Sequence, residues 1–377
     1  MKKFTFLLIA LLAGILAVNA QDKREIKAFT GNTYVTQQGS YTPSFRNDGS
    51  KAKVRNVILL IGDGMGTGAV NAAMYANGGE LTMTNLKTMG YVRTQSADNF
   101  TTDSAASGTA YATGQKTKNG YLGVDTSAVS IMNLPEKLAP LGYACGVLST
   151  DDLNGATPAA FFAHQRARGA TAEIWADLAE SCLTFASAGS QKTFQDQSLK
   201  TRDAISAEFE VVYSPDDEDV ADSDRLLYLP ESVQYEDRGD YLPATTEMAI
   251  SYLAERGRKG FFLMVEGARI DKEEHGNNFK GMVRETLDFD KAVEAAIRFA
   301  EQDGHTLVII SADHETGAVT LGHCNPSDGY ASGTFASSGH SPVMVPLFAY
   351  GPRSGEFTGT QENSDVSNKI FRILTGE

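Results

Sequence analysis

The sequence predicts an α/β fold, a three-layer α/β/α sandwich with a largely parallel central sheet. Three observations lead there. Short runs such as VRNVILLIG (54–62) and HTLVIIS (305–311) are almost unbroken in apolarity, as strands buried on both faces are. Longer segments carry apolar residues at three- and four-residue spacing, the mark of helices with one buried face. The two kinds alternate along the chain, the pattern of parallel strands joined by helical crossovers.

In chain order, residues 1–20, MKKFTFLLIALLAGILAVNA, read as a cleaved export signal. Lys2 and Lys3 precede an apolar run from Phe4 to Val18, and a small-residue cleavage site ends at Ala20. The run is short for a membrane span and no second apolar segment follows, so no stable membrane anchor is expected. The bacterial look of the signal points to the periplasm. Residues 21–53 are polar and read as an arm or loop. A single catalytic domain is expected over 54–377. Its strands are expected at 54–62, GYVRT, YACGVLST, LTFASAG, RLLYLP, FFLMVEG, HTLVIIS and VPLFAYG. Helices are expected over IMNLPEKLAPLG, TPAAFFAHQRARG, TAEIWADLAES, ATTEMAISYLAERG and GMVRETLDFDKAVEAAIRFAEQDG. Several of these end in Gly, a common C-terminal stop.

Hydrophobic residues at 42% and charged residues at 21% exclude a wholly disordered chain. The formal charge of −14 argues against sequence-independent binding of nucleic acid, because the chain would repel a phosphate backbone. A small anionic substrate remains compatible if cations dominate locally. Cys145, Cys182 and Cys324 match no zinc spacing, and all three are expected to be buried free thiols.

Polar, metal-competent residues gather where the apolar runs end, which is where open α/β sheets build their sites. Asp63 follows VILLIG, Glu266 ends FFLMV, and Asp313 and His314 follow HTLVIIS. Asp151, Asp152 and then Thr157 follow YACGVLST. Asp271 and His275 stand four apart in IDKEEH and would share one face of a helix. His340 lies in SSGHSP ahead of the last apolar run. Carboxylate with imidazole suits zinc, and closely spaced zinc ions suit phosphate chemistry. Ser104, in TTDSAASGTAYATG, reads as the start of a helix, either as a cap or as a hydroxyl beside a phosphate-binding helix end. His164 (mid-helix) and His305 (in a turn) are expected to be structural, and His323 stays open.

These segments together resemble the alkaline phosphatases. IGDGMG, TDSAASGTA, ATPAA followed by HQRAR, VEGARIDKEEH, ADHETG and GHS occur in that family's order and span roughly residues 54–351. The resemblance implies an alkaline-phosphatase-like fold and hydrolysis of phosphate monoesters through a phosphoserine. Ser104 matches the nucleophile. Asp63, Asp313 and His314 match the ligands of one zinc, and Asp271, His275 and His340 those of a second. Asp63, Thr157 and Glu266 match the magnesium ligands. Arg168 matches the arginine that grips phosphate, with Arg166 as the neighbouring competitor, and Lys272 resembles a lysine near the phosphate. Small phosphate monoesters and inorganic phosphate are the implied ligands, and a homodimer is common in the family. One position departs from the pattern. Gly155 stands where several members carry Asp or His, so magnesium is expected to be held less tightly. A related phosphodiesterase or sulfatase is the rival reading, but a diesterase would lack the Glu266/Thr157 site and the sulfatase signature is missing.

Overall fold

A computed structural model describes residues 29–189, 191–216 and 223–376. The expected export signal lies outside these residues. Among the described residues, ten strands form one sheet. Across it they run β15 (Gly359–Glu362), β3 (Thr88–Arg93), β14 (Val345–Tyr350), β9 (Thr306–Ser311), β2 (Asn56–Gly62), β8 (Gly260–Gly267), β4 (Tyr143–Ser149), β5 (Phe185–Ser187), β7 (Leu226–Tyr228) and β6 (Glu210–Val212). β14 is antiparallel to its neighbours β3 and β9, and every other pairing is parallel. β2, β4 and β9 are buried along their whole length, as their unbroken apolarity requires.

Helices flank the sheet. Eight of them bear on the argument: α1 (Thr67–Ala76), α2 (Ser104–Thr113), α3 (Ala156–Ala159), α4 (Thr171–Glu180), α5 (Tyr241–Arg256), α6 (Arg269–His275), α7 (Phe279–Asp303) and α8 (Asn363–Thr375). α5 and α7 pack on each other and against β4, β8 and β9, while α2 packs on α8. No helix of the described residues is long and apolar enough to cross a membrane.

The structure differs from the sequence reading at three places. Within the expected arm, Phe29–Tyr34 is a strand (β1), paired along all six residues with β12 (Tyr330–Phe335), which also pairs with β11 (Val319–Asn325). Its sequence, FTGNTY, lacks a strand's apolar alternation because the pairing partner supplies the order. Gly31 and Gly333 let this small sheet lie on Phe279, since a Cβ at either position would come within 2.5 Å of that side chain. The helix expected over 157–169 stops at Ala159. Beyond it the backbone turns and pairs with 120–122 instead: Gln165 and Leu122 exchange N–H···O bonds of 2.9 Å, and Arg168 N–H donates to Gly120 at 2.8 Å. His164 is therefore in irregular structure, not mid-helix, with Nδ1 2.6 Å from Gly123 O and Nε2 2.9 Å from Glu136 Oε1. Finally, all three cysteines are free, but Cys145 alone is buried; Cys182 is exposed and Cys324 half-buried.

Candidate active site

Three adjacent strands, β8, β2 and β9, deliver the polar residues to one edge of the sheet. Registers Ile61↔Glu266 and Ile61↔Ser311 place the ends of all three level. Asp63 follows β2, Glu266 lies at the end of β8, and Asp313 and His314 follow β9. α6 begins one residue beyond the end of β8, which brings Asp271 and His275 round on a single helical face. Gly64 (φ +75°) lets the turn after β2 press on α6, where a Cβ would lie 2.9 Å from the Asp271 Cα. His340 arrives by a two-residue ladder between β10 (Glu315–Thr316) and β13 (His340–Ser341), with Thr316 opposite His340. The rings of His314 and His340 stack with centroids 3.5 Å apart.

The imidazoles are oriented by their far nitrogens. His275 Nδ1 is 2.7 Å from Ser338 O and His340 Nδ1 is 2.8 Å from Thr102 O. A carbonyl oxygen only accepts, so each Nδ1 carries the proton and each Nε2 is left as the coordinating atom. These Nε2 atoms are 3.2 Å apart, and Asp271 Oδ2 is 3.2 Å from that of His275. The Thr316 hydroxyl donates to Asp271 Oδ1 at 2.6 Å, so its oxygen accepts from His314 Nδ1 at 3.2 Å. His314 Nε2 then faces Asp313 Oδ2 at 3.1 Å, Ser104 Oγ at 3.2 Å and Asp63 Oδ1 at 3.4 Å.

Two clusters thus have ligand atoms within 4.8 Å of one another: Asp271, His275 and His340, and Asp63, Asp271 and His314. Asp313 adjoins the second. Its Oδ1 accepts the N–H groups of Gly64 and His314 at 3.1 and 2.9 Å, and its Oδ2 has no hydrogen-bond partner. Asp63 Oδ1 and Thr157 Oγ1 are likewise buried without a partner. Buried oxygens left this way call for a cation, because burying an unpaired polar group is costly.

The electrostatics carry the same message. Burial, reinforced by Asp313, Asp271 and Glu266, pushes the Asp63 carboxyl well above the usual range. Burial and then the charge of Asp151 push Glu266 up to about 8, against the hydrogen bond it accepts from Ser149. Glu274, fully buried with neither oxygen hydrogen-bonded, is raised by burial and by Asp271, Glu315 and Asp313. Burial works to raise Asp271 as well, but the hydrogen bond from His275, the charge of His314 and the Thr316 hydroxyl hold it below the usual carboxylate range. The same bond to Asp271 raises His275 to about 9, so without a metal ion a proton sits between them. Burial lowers His314. A cavity with this many carboxylates is built to be neutralised by cations.

Ser104 is the first residue of α2 and is buried. The cap is Asp103, whose Oδ1 accepts from Ala106 N–H at 3.0 Å, which frees the Ser104 hydroxyl to face His314. Ser107 Oγ donates to Asp313 O at 2.7 Å and locks α2 to the end of β9.

A family model described as Alkaline phosphatase matches residues 54–205 and 230–334. Alkaline phosphatase 4 of Bacillus subtilis is 31% identical, over 86% of this chain and 89% of that protein. The chain belongs to the alkaline phosphatase family. Among solved structures, the alkaline phosphatase of the Antarctic bacterium TAB5 superposes with a TM-score of 0.80 at 34% identity, covering 86% of this chain and 98% of that one. A point mutant of the TAB5 enzyme, with the same TM-score at 33% identity and the same coverage, is described with Mg bound in its M3 site. As a member of the alkaline phosphatase family the chain is a phosphatase that hydrolyses phosphate monoesters.

Around this family's site the remaining predicted residues fall as follows. Arg166 and Arg168 are both exposed, but Arg168 Nη1 lies 3.3 Å from Asp103 Oδ2, beside Ser104, and Arg166 has no such tie among the described residues. Lys272 Nζ is ion-paired with Asp151 Oδ1. Thr157 is packed under α2, its Cα 3.3 Å from where a Cβ on Gly108 would stand. His323 is exposed on β11 with its ring beside Tyr330, away from the cluster. Three residues with a part in the site were not singled out from sequence: Asp103, Thr316 and Ser149. Thr316 stands two residues after His314, a spacing whose meaning emerges only once Asp271 is opposite it.

Proposed function

We propose that the protein hydrolyses phosphate monoesters through a phosphoserine formed on Ser104, at a site for two zinc ions and one magnesium ion. The observation that carries this reading is Ser104 Oγ standing 3.2 Å from the coordinating Nε2 of His314, which also faces the buried Asp63 and Asp313 oxygens that have no hydrogen-bond partner. Asp63, Asp313 and His314 would hold one zinc, and Asp271, His275 and His340 the other. Asp63, Thr157 and Glu266, an all-oxygen set, suit magnesium. When bound, the ions supply Lewis acidity, which lowers the pKa of a hydroxyl or water and neutralises charge on the phosphoryl oxygens.

The chain's own residues do the positioning. Ser104 Oγ attacks phosphorus in line with the ester oxygen, and the first turn of α2 presents its positive end to the dianion. Arg168, held by Asp103, grips two phosphoryl oxygens through its planar fork, and Lys272 adds a second cation. The ester P–O bond breaks, and the ester oxygen leaves with the bonding pair and takes up a proton to become the alcohol, balancing the proton that Ser104 Oγ gives up on attack. Water then attacks the phosphoserine from the side the alcohol vacated, the P–Oγ bond breaks, and Ser104 regains a proton as inorganic phosphate leaves. Recognition of the phosphoryl group alone supports broad specificity, and residues 1–20 support export to the periplasm.

The test is a comparison of rates on a monoester, a diester and a sulfate ester, combined with stereochemistry. The monoester should be preferred by orders of magnitude. Transfer of an isotopically chiral phosphoryl group to an alcohol should proceed with net retention, from two inversions. Net inversion would remove Ser104 from the role of nucleophile.

A further inference from the structure

Position 155, two residues before Thr157, is Gly, and a side chain there would run into Asp151. That space is not left bare. The chain leaves β4 at Ser149 and turns so that the carboxylate of Asp151, four residues upstream, fills the space. A Cβ on Gly155 would stand 2.8 Å from Asp151 Oδ2 and 3.2 Å from its Cγ. Asp151 N–H donates to Ser149 Oγ at 2.8 Å, and that hydroxyl donates to Glu266 Oε2. Asp151 Oδ1 meets Lys272 Nζ, so one residue is tied through its backbone N–H to the Ser149–Glu266 pair and through its carboxylate to the phosphate-side lysine. Asp152 turns the other way and accepts from Thr193 Oγ1 at 3.0 Å.

We infer that Asp151 is the positioning residue of the third metal site: its carboxylate accepts from the water shell of Mg2+ behind Glu266 and Thr157 while fixing Lys272. This rests on the reading of Asp63, Thr157 and Glu266 as a magnesium site. Mg2+ keeps several of its waters, and each needs an acceptor. A carboxylate behind the ligands is the usual one, and its loss weakens metal binding. Stability is not the purpose of the pair, because side chains 28% and 40% exposed gain little from an ion pair. Gly155 is then the residue that makes room for Asp151, and magnesium is not held loosely on its account.

Calorimetric titration of Mg2+ into the zinc-loaded, magnesium-free full-length mature protein tests this. Asp151→Ala and the near-isosteric Asp151→Asn should each weaken Mg2+ binding by about 10–100-fold, with zinc content and circular dichroism unchanged. Gly155→Ala should weaken Mg2+ in the wild-type background by displacing Asp151 and add little in the Asp151→Ala background. The Asp152 carbonyl, 2.8 Å from that Cβ, is met in both backgrounds and cancels in the cycle. Wild-type Mg2+ affinity in folded Asp151→Asn, or equal effects of Gly155→Ala in the two backgrounds, would overturn the inference. A wild-type protein that cleaves the monoester with zinc and takes up no Mg2+ would overturn it and leave the monoesterase reading standing. Absence of monoesterase activity in the metal-loaded protein would overturn both.

Discussion

Ser104 and Asp103 divide two tasks that a single serine at a helix start could have combined. Asp103 caps α2, holds the Gly120 N–H at 3.0 Å and ties down Arg168, so the Ser104 hydroxyl has no structural duty at the cap. Ser104→Ala should therefore lower turnover by orders of magnitude while changing stability by no more than about 1 kcal/mol and leaving metal content intact. Steady-state kinetics with a melting curve and metal analysis check this, and a large loss of Tm would assign the hydroxyl to the fold instead. Asp103→Ala should behave differently. Loss of the cap should destabilise by about 1 kcal/mol. Release of Arg168 should raise the inhibition constant for inorganic phosphate, and an unchanged constant would detach Arg168 from phosphate binding.

α2 can be buried on all sides because its sequence, SAASGTAYAT, is almost free of bulk. Gly108 is the point of closest approach, where a Cβ would lie 3.3 Å from both Ala160 Cβ and Thr157 Cα. Gly108→Val should force α2 off α3, at a cost of about 1–3 kcal/mol from overpacking. Thr157 sits on that contact, so the variant should also bind Mg2+ more weakly than its stability loss alone explains. Denaturant melts alongside Mg2+ titration would show it. A variant that is destabilised but keeps wild-type Mg2+ affinity would mean that Thr157 is positioned by β4 and not by α2.

For the whole molecule, the concentration of buried carboxylates makes stability depend jointly on pH and metal. Without metal, Glu266 shifts from an ordinary value of 4.5 to about 8, so its neutral form is favoured by the fold. That contribution is complete below pH 4.5 and lost as the pH rises through 8. Asp63 and Glu274 are raised in the same sense. His275, raised from 6.5 to about 9, contributes in its charged form, fully below pH 6.5, and loses that contribution as the pH rises through 9. His314, lowered by burial, acts oppositely but only below its ordinary 6.5. The chelated protein should therefore melt at a lower temperature at pH 9 than at pH 6.5. Metal should restore more stability at pH 9, because binding requires deprotonated ligands and stabilises only the folded state. A Tm of the chelated protein that is flat or rises over this interval would contradict the site electrostatics.

The sequence by itself determined the central strands and the chemistry at their ends. Buried parallel strands need unbroken apolarity, so a following Asp63 or Asp313-His314 stands out against it. The four-residue spacing of Asp271 and His275 fixed their common face wherever α6 was placed. Other features belong to the tertiary structure alone. β1 is a strand because β12 pairs with it, not because FTGNTY favours one. The residues after Ala159 leave the helix because pairing with 120–122 outweighs their propensity, and that turn is what brings Arg168 to Asp103. His340 reaches His275 through a two-residue ladder across a separation of 24 positions between Thr316 and His340, which no local pattern encodes. Gly155 showed in the sequence only what was missing. That Asp151 fills the gap is a matter of space, and space between residues is decided by packing.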